Sequence, residues 1–171
     1  KLKDGSALFG TIDTYLIYRL TNMKSYSTDF TNASRTLFFD NKKLKWDDNL
    51  LKLFNLDLRT LPKVRESSSI FGKTDFNGII KKEIPISGVI GDSQSAMFAN
   101  QCVLKGDTKI TLGSGASILT NINNNFIVKN NLLTTLSYVY KGKPYYSYEC
   151  LINYAGATIS WLKDNLKIIT T

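Results

Sequence analysis

Histidine is missing altogether from the 171 residues. With it go Ser-His-Asp and Cys-His nucleophilic systems and histidine-ligated metal sites within this chain. Acid–base chemistry is left to Asp, Glu, Lys and Tyr. Cysteine is nearly as scarce: Cys102 and Cys150 are the only 2, too few for a disulfide framework, and they read as reduced, mostly buried thiols. No apolar run reaches the length that crosses a bilayer. The stretch from Lys1 to Gly10 has no signal-peptide design. Because the chain starts on Lys1 rather than Met, a piece of a longer protein is expected, and the expected compartment is the cytoplasm.

What is present is enough for a folded core. Apolar residues make up 43% of the chain, which excludes wholesale disorder. The length fits one ordinary domain or two small half-domains. Lys and Arg number 22 against 14 Asp and Glu, a net charge of +8. The excess is scattered. Lys42-Lys43-Leu44-Lys45 and Lys81-Lys82 are short clusters with no stacking aromatics interleaved in a recognisable pattern. Runs such as Asn123-Asn124-Asn125 and Asn130-Asn131 accompany the lysines and isoleucines, the coding bias of an AT-rich genome. No nucleic-acid partner is expected. Attraction of an anionic substrate is a secondary reading of the charge.

Helices and strands mix throughout, without an internal repeat. Asp13 to Leu20 predicts a helix capped by Asp13, with Leu16, Ile17 and Leu20 on one face and Asn22 ending it. Ser25 to Thr28 predicts a short strand, and Thr31 to Ser34 a turn. Asp47 starts a second helix with a broad apolar side of Leu50, Leu51, Leu53 and Phe54. Ile84 to Ile90 predicts a buried strand with Pro85 near its start, followed by a helix from Ser93 to Asn100. Thr108 to Leu112 and Ile118 to Ile122 form a hairpin through Gly113-Ser114-Gly115. Leu133 to Tyr140 and Tyr145 to Tyr148 form another through Lys141-Gly142-Lys143. A helix over Ala155 to Lys167, bearing Ile159, Trp161, Leu162 and Leu166, closes the chain. The composition changes near Lys105-Gly106, which sets an expected boundary between residues 1–104 and 105–171.

Three constellations can carry chemistry. In Ile84-Pro85-Ile86-Ser87-Gly88-Val89-Ile90-Gly91-Asp92 a strand runs through glycines to an aspartate. A carboxylate there faces the crevice where open α/β sheets bind ligands, and it can take a proton from an attacking hydroxyl, as phosphoryl transfer requires. Asp92 also reads as a plain N-cap of the next helix. Gly113-Ser114-Gly115 can form an anion-binding concavity of backbone N–H groups with one added hydroxyl donor, or an ordinary hairpin turn. It is no Walker loop, since no Gly-Lys-Ser/Thr follows. Ala155-Gly156-Ala157 lets a phosphate approach a helix N-terminus, or lets the helix pack on a strand. Glu149, just before it, reads as an ion-pair partner or an acid. Thr31-Asn32-Ala33-Ser34-Arg35-Thr36 is a dense polar segment able to tie a loop down through side-chain bonds to backbone. Arg35 reads as structural or as an anion contact.

Taken in order, these segments resemble the FGGY carbohydrate kinase family. The carriers are Leu8-Phe9-Gly10-Thr11-Ile12-Asp13-Thr14-Tyr15-Leu16-Ile17, Thr28-Asp29-Phe30-Thr31-Asn32-Ala33-Ser34-Arg35-Thr36, Trp46-Asp47-Asp48 and Leu61-Pro62. They continue with Ile84-Pro85-Ile86-Ser87-Gly88, Gly91-Asp92, Gly113-Ser114-Gly115, Leu133-Thr134-Thr135 and Ala155-Gly156-Ala157. The resemblance implies an α/β portion of the actin- and Hsp70-like, ribonuclease-H-type kinase fold, with mixed sheets and flanking helices. Residues 1–104 would be the later part of the N-terminal, substrate-binding domain, and 105–171 the start of the C-terminal, nucleotide-binding domain. It implies phosphoryl transfer from ATP, with Mg2+, to a polyol hydroxyl, glycerol giving glycerol 3-phosphate. A kinase for another polyol or sugar and a non-catalytic homologue are the alternatives. Asp92 matches the catalytic base and a substrate contact. Gly113, Ser114 and Gly115 match the second phosphate loop, usually Gly-Thr-Gly, and Gly156 and Ser160 join the nucleotide-phosphate set. No metal ligand is assigned within the chain. A full-length homodimer or homotetramer is implied, with no nucleic-acid partner and no membrane span.

Two departures touch the substrate. Ser93, ahead of Gln94, stands where the family has the first of two glutamines, and Ser117 stands where a phenylalanine lies against the substrate's carbons. Asp75 to Glu83 lacks the glycine-rich loop and arginine linked to sugar-bisphosphate control. Fructose 1,6-bisphosphate is therefore expected to leave the activity of the complete gene product unchanged, checked by a titration of the turnover rate. The family's first phosphate loop and polyol-gripping Arg-Glu pair lie upstream of the matched region, and its adenosine segment downstream. The 171 residues alone are expected to give little or no turnover, and robust ADP release from the purified fragment would overturn this.

Overall fold

The chain alternates short helices with short strands, and a computed structural model describes residues 2 and 6–169 of it. They form two compact units. The first runs to Gln94 and takes in Tyr138–Pro144; the second holds Ser95–Ser137 and the residues from Tyr145 onward. No helix among the described residues is long and apolar enough to cross a membrane.

In the first unit the order is α1 (Ile12–Leu20), β1 (Ser27–Asp29), α2 (Phe30–Ala33), β2 (Phe39–Asp40), β3 (Lys45–Trp46), α3 (Asp48–Leu53), β4 (Lys63–Arg65), β5 (Gly72–Thr74) and β6 (Ile84–Ile86). Strands β1 and β4 pair in parallel, with Ser27 opposite Lys63 and Asp29 opposite Arg65. The pairs β2–β3 and β5–β6 are antiparallel. The core is Ala33, Phe39, Trp46, Leu51 and Leu61, with Phe9, Phe30 and Phe38 packed against it. Its aromatic rings meet edge to face: Phe39 lies 5.9 Å from Phe30 and 5.4 Å from Trp46, the favoured arrangement for ring quadrupoles. The buried indole N–H of Trp46 donates to the Pro62 carbonyl at 3.1 Å.

Several local expectations change here. Thr11, not Asp13, occupies the N-cap position of α1. The Asp13 carboxylate instead accepts from the hydroxyls of Thr11 and Thr28, the latter at 2.6 Å, tying α1 to β1. The inner face of α1 is Thr14 and Ile17, while Leu16 is exposed. Threonines can line that face because their hydroxyls are bonded; Thr21, for example, donates to the Ile17 carbonyl at 2.7 Å. Asn22 does end the helix, in the left-handed region at φ 51°.

The predicted turn over Thr31 to Ser34 is the single-turn helix α2, capped by Asp29. Asp47 caps α3 as expected, accepting from Asn49 and Leu50 amides at 2.8 and 3.0 Å. Only Leu51 of the anticipated apolar side is buried; Leu53 and Phe54 are exposed, with the Phe54 ring held edge-on against Phe38. The anticipated buried strand over Ile84 to Ile90 stops at Ile86, and Ile84 is exposed. Pro85 lacks an N–H, so the stretch cannot be a central strand. The chain beyond is held by single bonds, among them the Val89 N–H to the Ser67 carbonyl at 2.9 Å.

Helix α4 (Asp92–Ala99) leads into β7 (Thr108–Leu112), β8 (Ala116–Asn123), β9 (Leu133–Tyr140), β10 (Lys143–Ile152) and α5 (Gly156–Asp164). The sheet order is β7-β8-β10-β9, with Ile110 opposite Ile118 and Cys150 opposite Ile118 on its other side. Strand β10 extends past the predicted Tyr148, so Glu149 lies within it, buried and opposite Leu119. Met97, Cys102 and Leu119 form the core of the second unit, bordered by a buried Ser137–Ser147 hydroxyl pair at 2.6 Å. The last helix is shorter than the predicted Ala155 to Lys167, and none of its residues is buried. Lys167 has φ 53°, which helical backbone cannot continue.

Tyr26 fastens two loops of the first unit. Its hydroxyl lies against the carbonyl oxygens of Phe9 and Thr60, and burial pushes its pKa up from 10 to about 12. The unfolded chain ionises Tyr26 at its ordinary value, so the folded state holds the proton longer. Its contribution is therefore full below pH 10 and is lost progressively as pH rises toward about 12. Tyr26→Phe is expected to cost about 0.5–1.5 kcal/mol at neutral pH and to flatten this part of the alkaline decline. Urea unfolding of both proteins across that pH range checks it.

Candidate functional site

Asp92 opens α4. Its side chain is exposed, and Oδ1 accepts from the Ser93 backbone N–H at 2.6 Å. The N-cap expectation changes: Asp92 is the first residue of α4, and its carboxylate accepts from the next amide rather than from the second or third helical amide as an N-cap would, while it still faces solvent. Ser93 is half-buried, and Gln94 is buried.

The backbone just before Asp92 is held from a distance in sequence. The Gly91 N–H donates to the Thr31 hydroxyl at 2.7 Å. That hydroxyl in turn donates to the Asp29 carboxylate, 2.7 Å from Oδ2. Asp29 is fully buried. It also accepts from the Thr31 and Asn32 amides at 3.1 and 2.9 Å, the Asn32 side-chain amide at 2.8 Å and the Ser67 hydroxyl at 2.6 Å. The sequence marked Thr31 to Thr36 as a loop tie but missed Asp29 as its centre and Gly91 as the loop tied. The available signal was an Asp directly ahead of a Phe-Thr-Asn start, since Asp at N-cap accepts from the second and third helical amides.

In the second unit Gly113, Ser114 and Gly115 connect β7 and β8. The turn closes through the Gly113 N–H to the Gly115 carbonyl at 2.8 Å. The start of α5 is pinned on it. Ala155 and Ala157 donate to the Ser114 carbonyl at 2.8 and 3.0 Å, and Gly156 donates to the Gly113 carbonyl at 2.9 Å. These three N–H groups are therefore spent on the turn, and the small residues serve close packing. A Cβ on Gly156 would stand 2.6 Å from the Gly113 carbonyl oxygen, and one on Gly115 2.7 Å from that of Ile152. Ser114 is exposed at the tip, where its hydroxyl is a donor for an anion.

Gly113, Ser114, Gly115 and Ser117 line one open depression of about 390 Å³, together with Thr111, Leu151 and Asn153. Ser160 lies outside that lining, one turn along α5, and its hydroxyl turns back to the Gly156 carbonyl at 3.4 Å. The second unit thus gathers the turn, Ser117 and Gly156, while Asp92 and Ser93 belong to the first. A larger depression of about 630 Å³ over Trp46, Leu61 and Pro62 holds motif residues of the resemblance but none of the candidate site residues. Among the described residues no group of three or more His, Cys, Asp or Glu comes together to hold a metal ion.

Residues 2–99 match the FGGY family of carbohydrate kinases, N-terminal domain, and the chain belongs to that family. Its fold is a portion of the actin-like ATPase fold. Among its relatives, the glycerol kinase of Brachyspira hyodysenteriae is 48% identical over 99% of this chain and 34% of its own length. That of Mycoplasma capricolum is 45% identical over 98% of this chain. Plasmodium falciparum glycerol kinase, solved with ADP, matches with a TM-score of 0.90 and 37% identity over 98% of this chain and 34% of that one. A ligand-bound xylulose kinase from Lactobacillus acidophilus matches at TM-score 0.74 and 23% identity, covering 91% of this chain and 31% of that one, which speaks to the fold alone. The chain spans about a third of the length of the curated relatives it matches.

The brace on the turn is open to a direct test. Gly156→Ala forces a methyl against a backbone carbonyl and is expected to destabilise the second unit by about 1–3 kcal/mol. Gly88→Ala, where an added Cβ meets nothing within 4 Å, is expected to change stability by no more than about 0.5 kcal/mol. Urea denaturation of the two variants beside the wild type checks both.

Proposed function

We propose that this chain carries the catalytic base and the second phosphate loop of an ATP-dependent polyol kinase, with glycerol as substrate and glycerol 3-phosphate as product. The observation that carries the reading is the likeness to glycerol kinases along nearly the whole chain, at 48% identity in one relative and a TM-score of 0.90 to one solved with ADP. Residues 1–104 are assigned to the substrate-binding domain and 105–171 to the start of the nucleotide-binding domain. The match to the family's N-terminal domain over residues 2–99 supports that division. The protein acts in the cytoplasm, as an assembly of two or four complete copies.

In this reading the exposed Asp92 carboxylate accepts the proton of the attacking hydroxyl. The hydroxyl oxygen forms a bond to the γ-phosphorus, the bond to the bridging oxygen breaks, and ADP leaves. Phosphoryl transfer asks little covalent chemistry of the protein, so positioning and charge stabilisation dominate. Donors on the Gly113-Ser114-Gly115 turn, including the Ser114 hydroxyl, hold phosphate oxygens. Gly156 contributes by letting α5 seat against that turn, and Ser160 stands one turn along the same helix. Ser93 and Ser117 shape the polyol contacts, where hydrogen-bonding groups discriminate strongly between hydroxyl patterns. Magnesium belongs to the proposal as a companion of ATP. Among the described residues no three or more His, Cys, Asp or Glu come together to hold an ion, and no step is assigned to it.

The test is ADP release by the product of the complete reading frame that encodes this chain, with ATP-magnesium and a panel of polyols. Turnover is expected on glycerol, and Asp92→Asn is expected to lower kcat by roughly 100- to 10,000-fold. Turnover on another polyol alone would move the substrate assignment and implicate Ser93 and Ser117. A well-folded protein inactive on every polyol would favour a non-catalytic homologue.

A further inference from the structure

We infer that Thr31 is a positioning residue for Asp92, with Asp29 setting the direction of its hydroxyl, so that a buried carboxylate governs where the base stands. The inference rests on the assignment of Asp92 as the base. A threonine hydroxyl has one proton and two acceptor lone pairs, whereas a carboxylate only accepts. Both Asp29 oxygens lie within reach of Thr31 Oγ1, at 3.0 and 2.7 Å. The hydroxyl proton is therefore committed to Asp29. What remains on the oxygen is acceptor capacity, and the Gly91 N–H meets it at 2.7 Å.

The polarity of this relay is fixed by chemistry. Were the proton free to rotate toward Gly91, two donors would oppose each other and the contact would fail. The relay is also stiff. Asp29 is fully buried and is itself the cap of α2, held by backbone amides that leave its carboxylate little freedom. Thr31 sits inside that one-turn helix and is fully buried too. The anchor falls on the residue immediately before Asp92, in a stretch with no strand pairing beyond Ile86. Here the tie at Gly91 sets the path of the chain into α4, and a displacement of about 1 Å at a reacting group can cost 100-fold in rate.

The test uses the complete gene product and compares Thr31→Val, which keeps the shape and removes the hydroxyl, with Thr31→Ser, which restores it. Thr31→Val is expected to lower kcat by about 10- to 100-fold with KM for ATP little changed. Thr31→Ser is expected to recover most of the rate. The loss should also shrink in an Asp92→Asn background, because a mispositioned base no longer matters once the base is gone. A Thr31→Val enzyme with wild-type kcat, or a loss of equal size in both backgrounds, would overturn the inference. Asp92→Asn alone reports on the underlying assignment: if it keeps full turnover, that assignment fails regardless of Thr31. Should Thr31→Val not fold, hydrogen exchange at the Gly91 amide of the wild type decides. Strong protection is expected, and exchange at the rate of an open loop would overturn the relay.

Discussion

A carboxylate buried without partners costs several kcal/mol or more, so Asp29 can sit at the centre of the first unit only because donors surround it. They come from Thr31, Asn32 and Ser67, as backbone amides, hydroxyls and a side-chain amide. Each donor fixes a different piece of chain. The amides start α2, Ser67 holds the loop after β4, and Thr31 passes the constraint to Gly91 at the threshold of α4. In the β1–β4 pair Asp29 stands opposite Arg65. Removing the charge would leave a set of buried donors without their acceptor.

The second unit solves a different problem by similar means. A glycine-rich turn is entropically costly to hold in one shape, and here it is clamped by the first amides of α5, which donate to its carbonyls. The helix start would otherwise carry unsatisfied N–H groups, and the turn would otherwise carry unsatisfied carbonyls. Each completes the other, which leaves Ser114 exposed at a rigid tip. Gly115 and Gly156 are required by that closeness: both face backbone oxygens at distances no methyl can occupy.

The exposed apolar residues fit a chain that spans about a third of its relatives' length. Ile159, Trp161 and Leu166 are half exposed at the end of the second unit, and α5 buries none of its residues. The same surface explains why the apolar periodicity of Ala155 to Lys167 overstated the helix. Periodicity reports which side of a helix is apolar, and packing decides how far the helix extends.

Much was legible in the sequence where causes are short-range. Asp47 capping α3, Asn22 ending α1, the two hairpins and the Gly-Ser-Gly turn all follow from chemistry within a few residues, and the order of motifs carried the family. The failures share a cause. Asp13 looked like a cap, but Thr28, fifteen residues on, claims its carboxylate. Thr31 to Ser34 looked like a turn, but Asp29 made it a helix. Ile84 to Ile90 looked buried because an apolar run carries no record of what lies beside it. The sequence by itself determined the class of fold and the local turns, and it nominated the candidate site residues. Only tertiary structure decided that Ser67 meets Asp29 across 38 positions and Gly91 meets Thr31 across 60. Hydrogen bonds between residues so distant leave no periodicity in the sequence, since they depend on where two separate elements are packed.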